Sequence, residues 1–267
     1  MEGHVLHDRR GRCAMVSLNQ KLVKHVHSYP QLIMCLDGAP AIYRSDNAQI
    51  SLRPHQMVVV PAWREHSCEP SSSRRPSHCL AIHLNTDWLD EGSRGSLDLS
   101  HRVAHFNPKL GMSLRHIIES TEPAARDVSG EFGERLVDLL SDSDRRTWRL
   151  PGARDTPVDF RIRKACAYMN ENLHAAWDLG QIARHCAMSR PHFNFQFKAV
   201  MGTTPAIYAN ELRMRKATRL LCGPARLSIS EISEAIGFSA SANFIRFFRN
   251  HVGLSPNRFR LSFRTVA

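Results

Sequence analysis

The sequence lacks the apolar runs that mark membrane segments and export signals. No stretch of its 267 residues approaches the roughly 18–20 consecutive apolar positions that a membrane-spanning helix needs. The first eleven residues contain His4, His7, Arg9 and Arg10 and no apolar core, so they do not have the pattern of a secretory signal. We therefore expect a cytoplasmic protein with no membrane partner.

Paired cysteines and the common catalytic motifs are also missing. The seven cysteines have no paired spacing, and Cys166, Cys186 and Cys222 fall in helical patterns as small apolar side chains. Such cysteine usage is typical of a reducing cytosol. The chain has no nucleophile elbow, no P-loop and no dinucleotide-binding glycine pattern. We therefore predict that it is not an enzyme.

Acidic residues are scarce in one part of the chain. From residue 159 to the end there are 16 Lys and Arg against 6 Asp and Glu, whereas the rest of the chain has 20 against 19. Nearly all of the net charge of +11 therefore belongs to the C-terminal part. A basic module joined to a near-neutral one indicates a polyanion-binding unit, although a solvated basic surface without a partner would carry the same charge.

Residues 1–142 have the pattern of a mostly β domain with accessory helices. Short apolar runs separated by turn dipeptides lie at residues 32–36, 39–43, 49–52, 57–60 and 79–84. This pattern favours an antiparallel sandwich or barrel. Helical spacing follows at 112–122 and 131–140, and these two helices are expected either to cap the barrel or to form a dimer interface. The polar segment 143–158, which contains two prolines, is predicted to be a linker.

Residues 159–267 are predicted to be entirely helical, and they contain an internal repeat. Six residues match six others with an offset of 51: Phe193, Phe197, Lys198, Gly202, Pro205 and Tyr208 match Phe244, Phe248, Arg249, Gly253, Pro256 and Phe259. Each copy has a short helix, a tight turn and a longer helix with its phenylalanines on the core face, which is the arrangement of a helix-turn-helix unit. A long helix predicted from Pro205 to Leu221 would hold the two reading helices at a fixed separation.

These segments resemble the AraC/XylS family of transcription regulators. Residues 202–208 (GTTPAIY) and 213–221 (RMRKATRLL) are similar to the family's connecting helix, and residues 229–238 (ISEISEAIGF), 244–249 (FIRFFR) and 253–260 (GLSPNRFR) are similar to its second unit. The resemblance covers residues 160–262. It implies a bacterial regulator that binds double-stranded DNA through an all-α double helix-turn-helix domain and responds to a small-molecule effector. It also allows a homodimer and contact with RNA polymerase.

Carried over by position, the resemblance implies two sets of DNA contacts. The first reading helix would present Arg190, Pro191, His192, Asn194, Phe195 and Lys198, and the second would present Ser241, Ala242, Asn243, Arg246 and Arg249. Phe195 stands where family members often have arginine; it can touch a thymine methyl or pack in the core, but it cannot hydrogen-bond to a base. Arg246 can pair with guanine or with a phosphate.

The N-terminal part resembles a cupin barrel. His25-Val-His27, Gln31 and Gly38 follow the first cupin motif, with glutamine in place of the usual glutamate. Pro61 and His66 match the second motif, in which His55 and Trp63 occupy glycine positions. The resemblance implies that His25, His27, Gln31 and His66 converge inside the barrel.

Three uses of this cluster remain open from sequence. Three imidazoles and one oxygen suit a divalent transition metal, and no other cofactor is expected; the metal ligands would be His25, His27 and His66. An organic effector would instead meet His25, His27, Gln31, Tyr43, Trp63 and His66. The histidines can also be structural. A cupin enzyme with a helical appendage and a protein-binding adaptor are the competing functions, and the altered second motif argues against the enzyme.

Overall fold

The computed structural model describes residues 5–8, 11–45, 48–84, 103–119, 134–135, 159–174 and 178–265. The predicted fold class is confirmed, because strands fill the N-terminal part and helices fill the C-terminal part. The prediction that residues 159–267 are entirely helical is wrong at 263–265, which form a short strand because they pair with the first strand of the N-terminal part. The strands are β1 Val5–Asp8, β2 Gly11–Leu18, β3 Gln31–Gly38, β4 Ala41–Ser45, β5 Ala48–Leu52, β6 Gln56–Val60, β7 His66–Pro70, β8 Ser77–Leu84, β9 Val103–His105 and β10 Phe263–Thr265. The helices are α1 Pro108–Glu119, α2 Phe160–Glu171, α3 Leu179–His185, α4 Arg190–Met201, α5 Pro205–Cys222, α6 Ile229–Ala235, α7 Ser241–Val252 and α8 Pro256–Ser262.

The strands form two sheets rather than one closed ladder. The larger sheet has the order β10-β1-β2-β8-β3-β6-β9, and the smaller has the order β5-β4-β7. Neighbouring strands are antiparallel except for β10, which runs parallel to β1. Among the described strands the cupin-like barrel is therefore open, with the two sheets as its walls.

The central strands of the larger sheet are buried on both faces. On β2, Cys13 and Met15 point to an apolar cluster that contains the inner face of α1. Ala14 and Val16, which alternate with them, point to a second cluster shared with the smaller sheet and the C-terminal helices. A strand covered on both sides reads as a continuous apolar run, which is why its sequence shows no alternation.

Helix α1 caps the barrel. Its buried residues Leu110, Leu114, Ile117 and Ile118 pack against the larger sheet, while Met112 is exposed. The apolar face of α1 therefore serves the first of the two predicted roles, which is capping of the barrel. The second predicted helix, at 131–140, lies outside the described residues except for 134–135, and so does the predicted linker at 143–158.

Local signals start and stop the C-terminal helices, and α5 ends one residue beyond its predicted limit at Leu221. Asp178 caps α3, and Ser228 forms a capping box with Glu231 at the start of α6. Gly202 and Gly253 end α4 and α7 in the left-handed conformation. None of the described helices is long and apolar enough to cross a membrane.

The helical domain packs directly on the barrel. The barrel-side residues Val16 and Leu22 share one apolar cluster with Phe244 and Phe248 of α7. The indole of Trp63 stacks on Tyr208 of α5 at 5.1 Å between ring centroids. Both helix-turn-helix units therefore contact the N-terminal domain.

We predict that Gly38→Ala destabilises the protein much more than Gly202→Ala. Both glycines have positive φ, at +90° and +73°, so alanine costs about 1–2 kcal/mol of backbone strain at either position. At Gly38 a Cβ would also overlap the carbonyl oxygen of Pro76, whereas at Gly202 the nearest atom is 4.0 Å away. Urea denaturation followed by circular dichroism should show a loss of about 3 kcal/mol or more for Gly38→Ala. Equal losses for the two variants would contradict the clash.

Candidate functional site

Two helix-turn-helix units are present, formed by α3–α4 and by α6–α7. The turn of the first passes through Ala187 at φ +53°, and the turn of the second through Gly237 at φ +84°. These two residues occupy equivalent places in the internal repeat, so the same left-handed turn occurs twice. The repeated phenylalanines are fully buried, as predicted: Phe193, Phe197, Phe244 and Phe248.

Helix α5 connects the two units. Its 18 residues span about 27 Å at 1.5 Å per residue. Eight of its residues are buried, including Leu212 on the side of the first unit and Leu221 on the side of the second. The two reading helices α4 and α7 are therefore held by one rigid element, which suits binding to successive major grooves.

The residues predicted to contact DNA lie at the surface. All eleven are exposed except Asn194 and Ser241, which are half-buried. Phe195 is 69% exposed, so it does not pack in the core. Arg246 donates to Oδ1 of Asn243 at 2.9 Å, and the amide therefore orients the guanidinium on the open face of α7. Whether these residues contact bases or phosphates stays a prediction.

Arg249 differs from the other predicted DNA contacts in its surroundings. It lines a groove of about 500 Å³ between the barrel and the second unit, together with Arg115 and Arg258. Glu119 and His78 line the same groove. The sequence did not indicate this groove, because its walls come from β2, β8, α1 and α7.

A second site is the histidine cluster at the junction of the domains. The ligand nitrogens of His25, His27 and His66 lie within 4.8 Å of one another. His25 bonds to His66 through an isolated β-bridge, so residues 25–27 are extended but do not belong to one of the strands. His25 and His27 nevertheless lie on one side, with ring centroids 4.9 Å apart. Gln31 completes the group, as the cupin resemblance implies.

Backbone carbonyls orient two of the imidazoles. Nδ1 of His25 donates to the carbonyl of Val23 at 2.6 Å, and Nδ1 of His66 donates to that of Arg64 at 2.9 Å. In a neutral imidazole the other nitrogen then carries the lone pair. Nε2 of His27 is buried and has no hydrogen-bond partner among the described residues. The lone pairs of His25 and His66 are therefore on Nε2, and the possible ligand nitrogens of all three rings lie close together.

Burial keeps His25, His27 and His83 neutral near pH 7. Desolvation lowers the pKa of His25 and of His27 well below the usual range, and neighbouring imidazoles lower both further. Burial and the nearby Arg12 guanidinium do the same to the pKa of His83. A neutral imidazole is the form that binds a metal.

The C-terminal domain closes the cluster. Glu211 of α5 is 4% exposed, its Oε1 accepts from the backbone N–H of Ser28 at 3.1 Å, and its Oε2 is 3.9 Å from Nδ1 of His27. Burial raises the pKa of Glu211 to about 7. His251 of α7 lies 6.1 Å from His25 between ring centroids. The cavity of about 70 Å³ beside the cluster is therefore lined by both domains.

Tyr43 and Trp63 were predicted to contact an organic effector, but they do not line the cavity at the histidine cluster. Tyr43 is fully buried in the barrel core and stacks on His66 at 5.9 Å. Trp63 faces Tyr208 of α5, so it belongs to the domain interface, and neither residue lines the 70 Å³ cavity. His55 and Trp63, which occupy the glycine positions of the cupin motif, both have positive φ, at +69° and +60°. The backbone turn is therefore kept although the glycines are absent.

Three residues of the cluster were missed from sequence. His83 on β8, Glu211 on α5 and His251 on α7 all line the cavity. No local motif contains them, since they come from three elements distant in the chain. A buried glutamate on the connecting helix is the one signal that could have been noticed, because the pattern places Glu211 beside the apolar Leu212.

The comparisons agree with this geometry. A family model described as a helix-turn-helix domain matches residues 182–262. The MmsAB operon regulatory protein of Pseudomonas aeruginosa is 36% identical over 94 residues, which is 35% of this chain and 30% of that protein. The arabinose operon regulatory protein of Salmonella typhimurium is 29% identical over 162 residues, or 60% of this chain and 54% of that protein. The chain thus spans about a third to a half of the length of these curated relatives.

The whole fold also has a solved counterpart. ToxT from Vibrio cholerae, in a structure with an unsaturated fatty acid bound, has a TM-score of 0.55 and 14% identity and covers 98% of this chain and 94% of its own. At this identity the likeness concerns the fold alone. The fold and the two exposed reading helices define a two-domain helix-turn-helix protein. Residues 182–262 supply its match to the helix-turn-helix family model, and the chain is similar to the regulatory proteins named above.

We predict that Phe193→Ala destabilises the protein strongly whereas Phe195→Ala barely changes its stability, although the two residues are only two positions apart on α4. Phe193 is 0% exposed and Phe195 is 69% exposed. Phe193→Ala should therefore cost about 3–5 kcal/mol of unfolding free energy, whereas Phe195→Ala should change it by less than about 0.5 kcal/mol. Urea denaturation measures both. A large loss for Phe195→Ala would mean that its ring is not at the surface.

Proposed function

We propose that this protein is a transcription regulator that binds a specific DNA sequence through both helix-turn-helix units and is controlled by an effector bound to its N-terminal domain. The observation that carries the proposal is the pair of exposed reading helices on one rigid connecting helix, docked on a domain with a buried polar cluster. The regulators among its relatives, which act on operons, support the same reading.

The charge supports DNA as the partner. The C-terminal part holds almost all of the net positive charge of +11. Arg190, Lys198, Arg246 and Arg249 on the two reading helices are exposed. A surface of this kind neutralises phosphates and releases counterions on binding. An adaptor that binds proteins would not need both reading faces to be basic.

The domain interface supports control by an effector. The same contacts that dock the barrel on α5 and α7 also enclose the histidine cluster. A ligand that changes this cluster therefore changes the docking of the DNA-binding domain. The fold offers two places for such a ligand: the cavity of about 70 Å³ at the cluster, and the groove of about 500 Å³ beside Arg249. Organic ligands usually occupy about 300–1,000 Å³, so the groove suits an organic effector and the cavity suits an ion with water.

Selection of duplexes from random DNA by the full-length protein tests the DNA-binding function. We expect a bipartite site whose halves are about one helical turn apart. The affinity for the selected duplex should fall steeply with salt, with a slope of about −0.9 per neutralised phosphate. Failure to enrich any sequence would overturn sequence-specific regulation, and a flat salt response would favour the adaptor.

We predict that Arg246→Ala weakens binding to the selected duplex about 10- to 100-fold, which corresponds to about 1–3 kcal/mol for one base contact. The variant should also tolerate more bases at one position of the site, whereas loss of a phosphate contact would weaken all sequences alike. Arg226→Ala is the matched control, because Arg226 is an exposed arginine outside both reading helices. Fluorescence anisotropy with a panel of mutated duplexes measures the effect. Equal losses for the two variants would refute a base contact by Arg246.

A further inference from the structure

We propose that a divalent transition metal held by His25, His27, Gln31 and His66 controls the docking of the DNA-binding domain, and that Glu211 is the positioning residue that couples the two. The coupling to DNA rests on the proposed function above, whereas the metal site itself does not. Two features of the cluster support this proposal. The barrel supplies the ligands, and the connecting helix supplies the carboxylate of Glu211 beside His27.

The donors suit a metal. Imidazole nitrogens are common ligands of Zn²⁺ and of other divalent transition metals. Nε2 of His66 and Oε1 of Gln31 are 3.1 Å apart. This is about the separation of two adjacent ligands on an ion with bonds of about 2.1 Å. When His66 is neutral and its Nδ1–H donates to the carbonyl of Arg64, two acceptors face each other in that orientation, and a cation beside them removes the repulsion.

His27 supplies an independent observation. Its Nε2 is buried without a hydrogen-bond partner among the residues that the structure describes. A buried polar atom in that state costs free energy, and a bound ion would remove the cost. Its Nδ1 faces Oε2 of Glu211 at 3.9 Å. One imidazole therefore points one nitrogen at the cluster and the other at the C-terminal domain.

The arrangement of Glu211 and His27 has a known physical consequence. Histidines that bind metals commonly donate their second N–H to a carboxylate, which fixes the ring and raises its basicity. Conversely, a metal on Nε2 makes the Nδ1–H a stronger donor to that carboxylate. Because Glu211 belongs to α5, the metal would draw the connecting helix onto the barrel. Arg246 and the other exposed DNA contacts stay open in this docked arrangement, so metal should favour DNA binding.

The size of the cavity separates an ion from an organic ligand. A volume of about 70 Å³ holds an ion with one or two waters, since a water occupies about 30 Å³. It is well below the volume of an organic effector. Glu211 and His251, both from the C-terminal domain, line it together with His25, His27 and Gln31. His66 does not line the cavity and reaches this group through its contact with Gln31.

The first experiment measures metal binding without DNA. The full-length chain, purified without a histidine tag and stripped with a chelator, is titrated with Zn²⁺ by calorimetry and with Co²⁺ by visible absorption. We expect one ion per chain and the absorption bands of Co²⁺ bound to imidazole nitrogen. His66→Ala should weaken binding at least a hundredfold. Absence of saturable binding in the wild-type chain would overturn the metal site. The Gln31 amide, with its oxygen and nitrogen exchanged, would then bridge His66 and His83 by hydrogen bonds.

The second experiment tests Glu211 with a matched control. Glu211→Gln keeps the shape and the acceptor for the N–H of Ser28 but removes the charge. It should weaken Zn²⁺ binding about 10- to 100-fold. Glu65→Gln is the control, because Glu65 is also buried and also joins the domains, but it accepts from Thr203 at 2.9 Å and pairs with Lys24. Glu65→Gln should retain the wild-type affinity for Zn²⁺ within about twofold. Equal affinities of Glu211→Gln and the wild type would overturn the role of Glu211.

The third experiment tests the coupling. Saturating Zn²⁺ should tighten binding of the wild-type chain to its selected duplex at least about fivefold, and the duplex should tighten Zn²⁺ binding by the same factor, because coupling is reciprocal. Glu211→Gln should lose this effect even when saturated with Zn²⁺, and Glu65→Gln should keep it. No change in wild-type DNA affinity, or equal loss in both variants, would overturn the coupling. Failure of DNA binding in every state would reject the proposed function alone, since the metal titrations do not involve DNA.

Discussion

The burial of Glu211 against the barrel is the contact on which the arrangement of the two domains depends. A carboxylate with 4% of its surface exposed is costly to bury unless it is hydrogen-bonded. Here its partners come from the other domain, at the N–H of Ser28 and beside His27. The cost is therefore offset when the connecting helix lies on the barrel, and separation of the domains would exchange these partners for water. With a pKa of about 7, the group is balanced between its two protonation states in this place.

Glu65 adds a second buried polar contact between the domains, to Thr203, and around these two contacts the interface is largely apolar. One cluster runs from the larger sheet through the smaller sheet into the second helix-turn-helix unit. The first unit has a separate core, which meets the barrel at Trp63. The N-terminal domain therefore touches both units and can shift either of them. The histidine cluster lies where these contacts meet, so a change there reaches both reading helices through direct packing rather than through a long path.

Much of the C-terminal domain could be predicted from local patterns. The repeat with an offset of 51, the capping residues Asp178 and Ser228 and the glycines that end α4 and α7 each act within one helical turn. The N-terminal domain was harder. Strands β1, β2, β7 and β9 were missed. Strand β2 shows why: Cys13 and Ala14 are both buried, on opposite faces of a sheet that is covered on both sides. Its sequence has no alternation from which a half-exposed strand could be recognised.

The candidate site also contains some residues that the sequence indicated and others that only the fold brings together. From the sequence, the cupin resemblance implied that His25, His27, Gln31 and His66 belong to one cluster, and the helical pattern placed Arg246 and Asn243 away from the buried phenylalanines, because spacing along a helix decides which side chains share a face. The sequence did not place Trp63 against Tyr208 or bring Glu211 to His27. Ser28 and Glu211 are 183 residues apart in the chain, and no local pattern relates them. Their meeting was decided by the tertiary structure, since burial of the shared apolar core brings α5 onto the barrel and leaves Ser28 and His27 as the partners of that carboxylate.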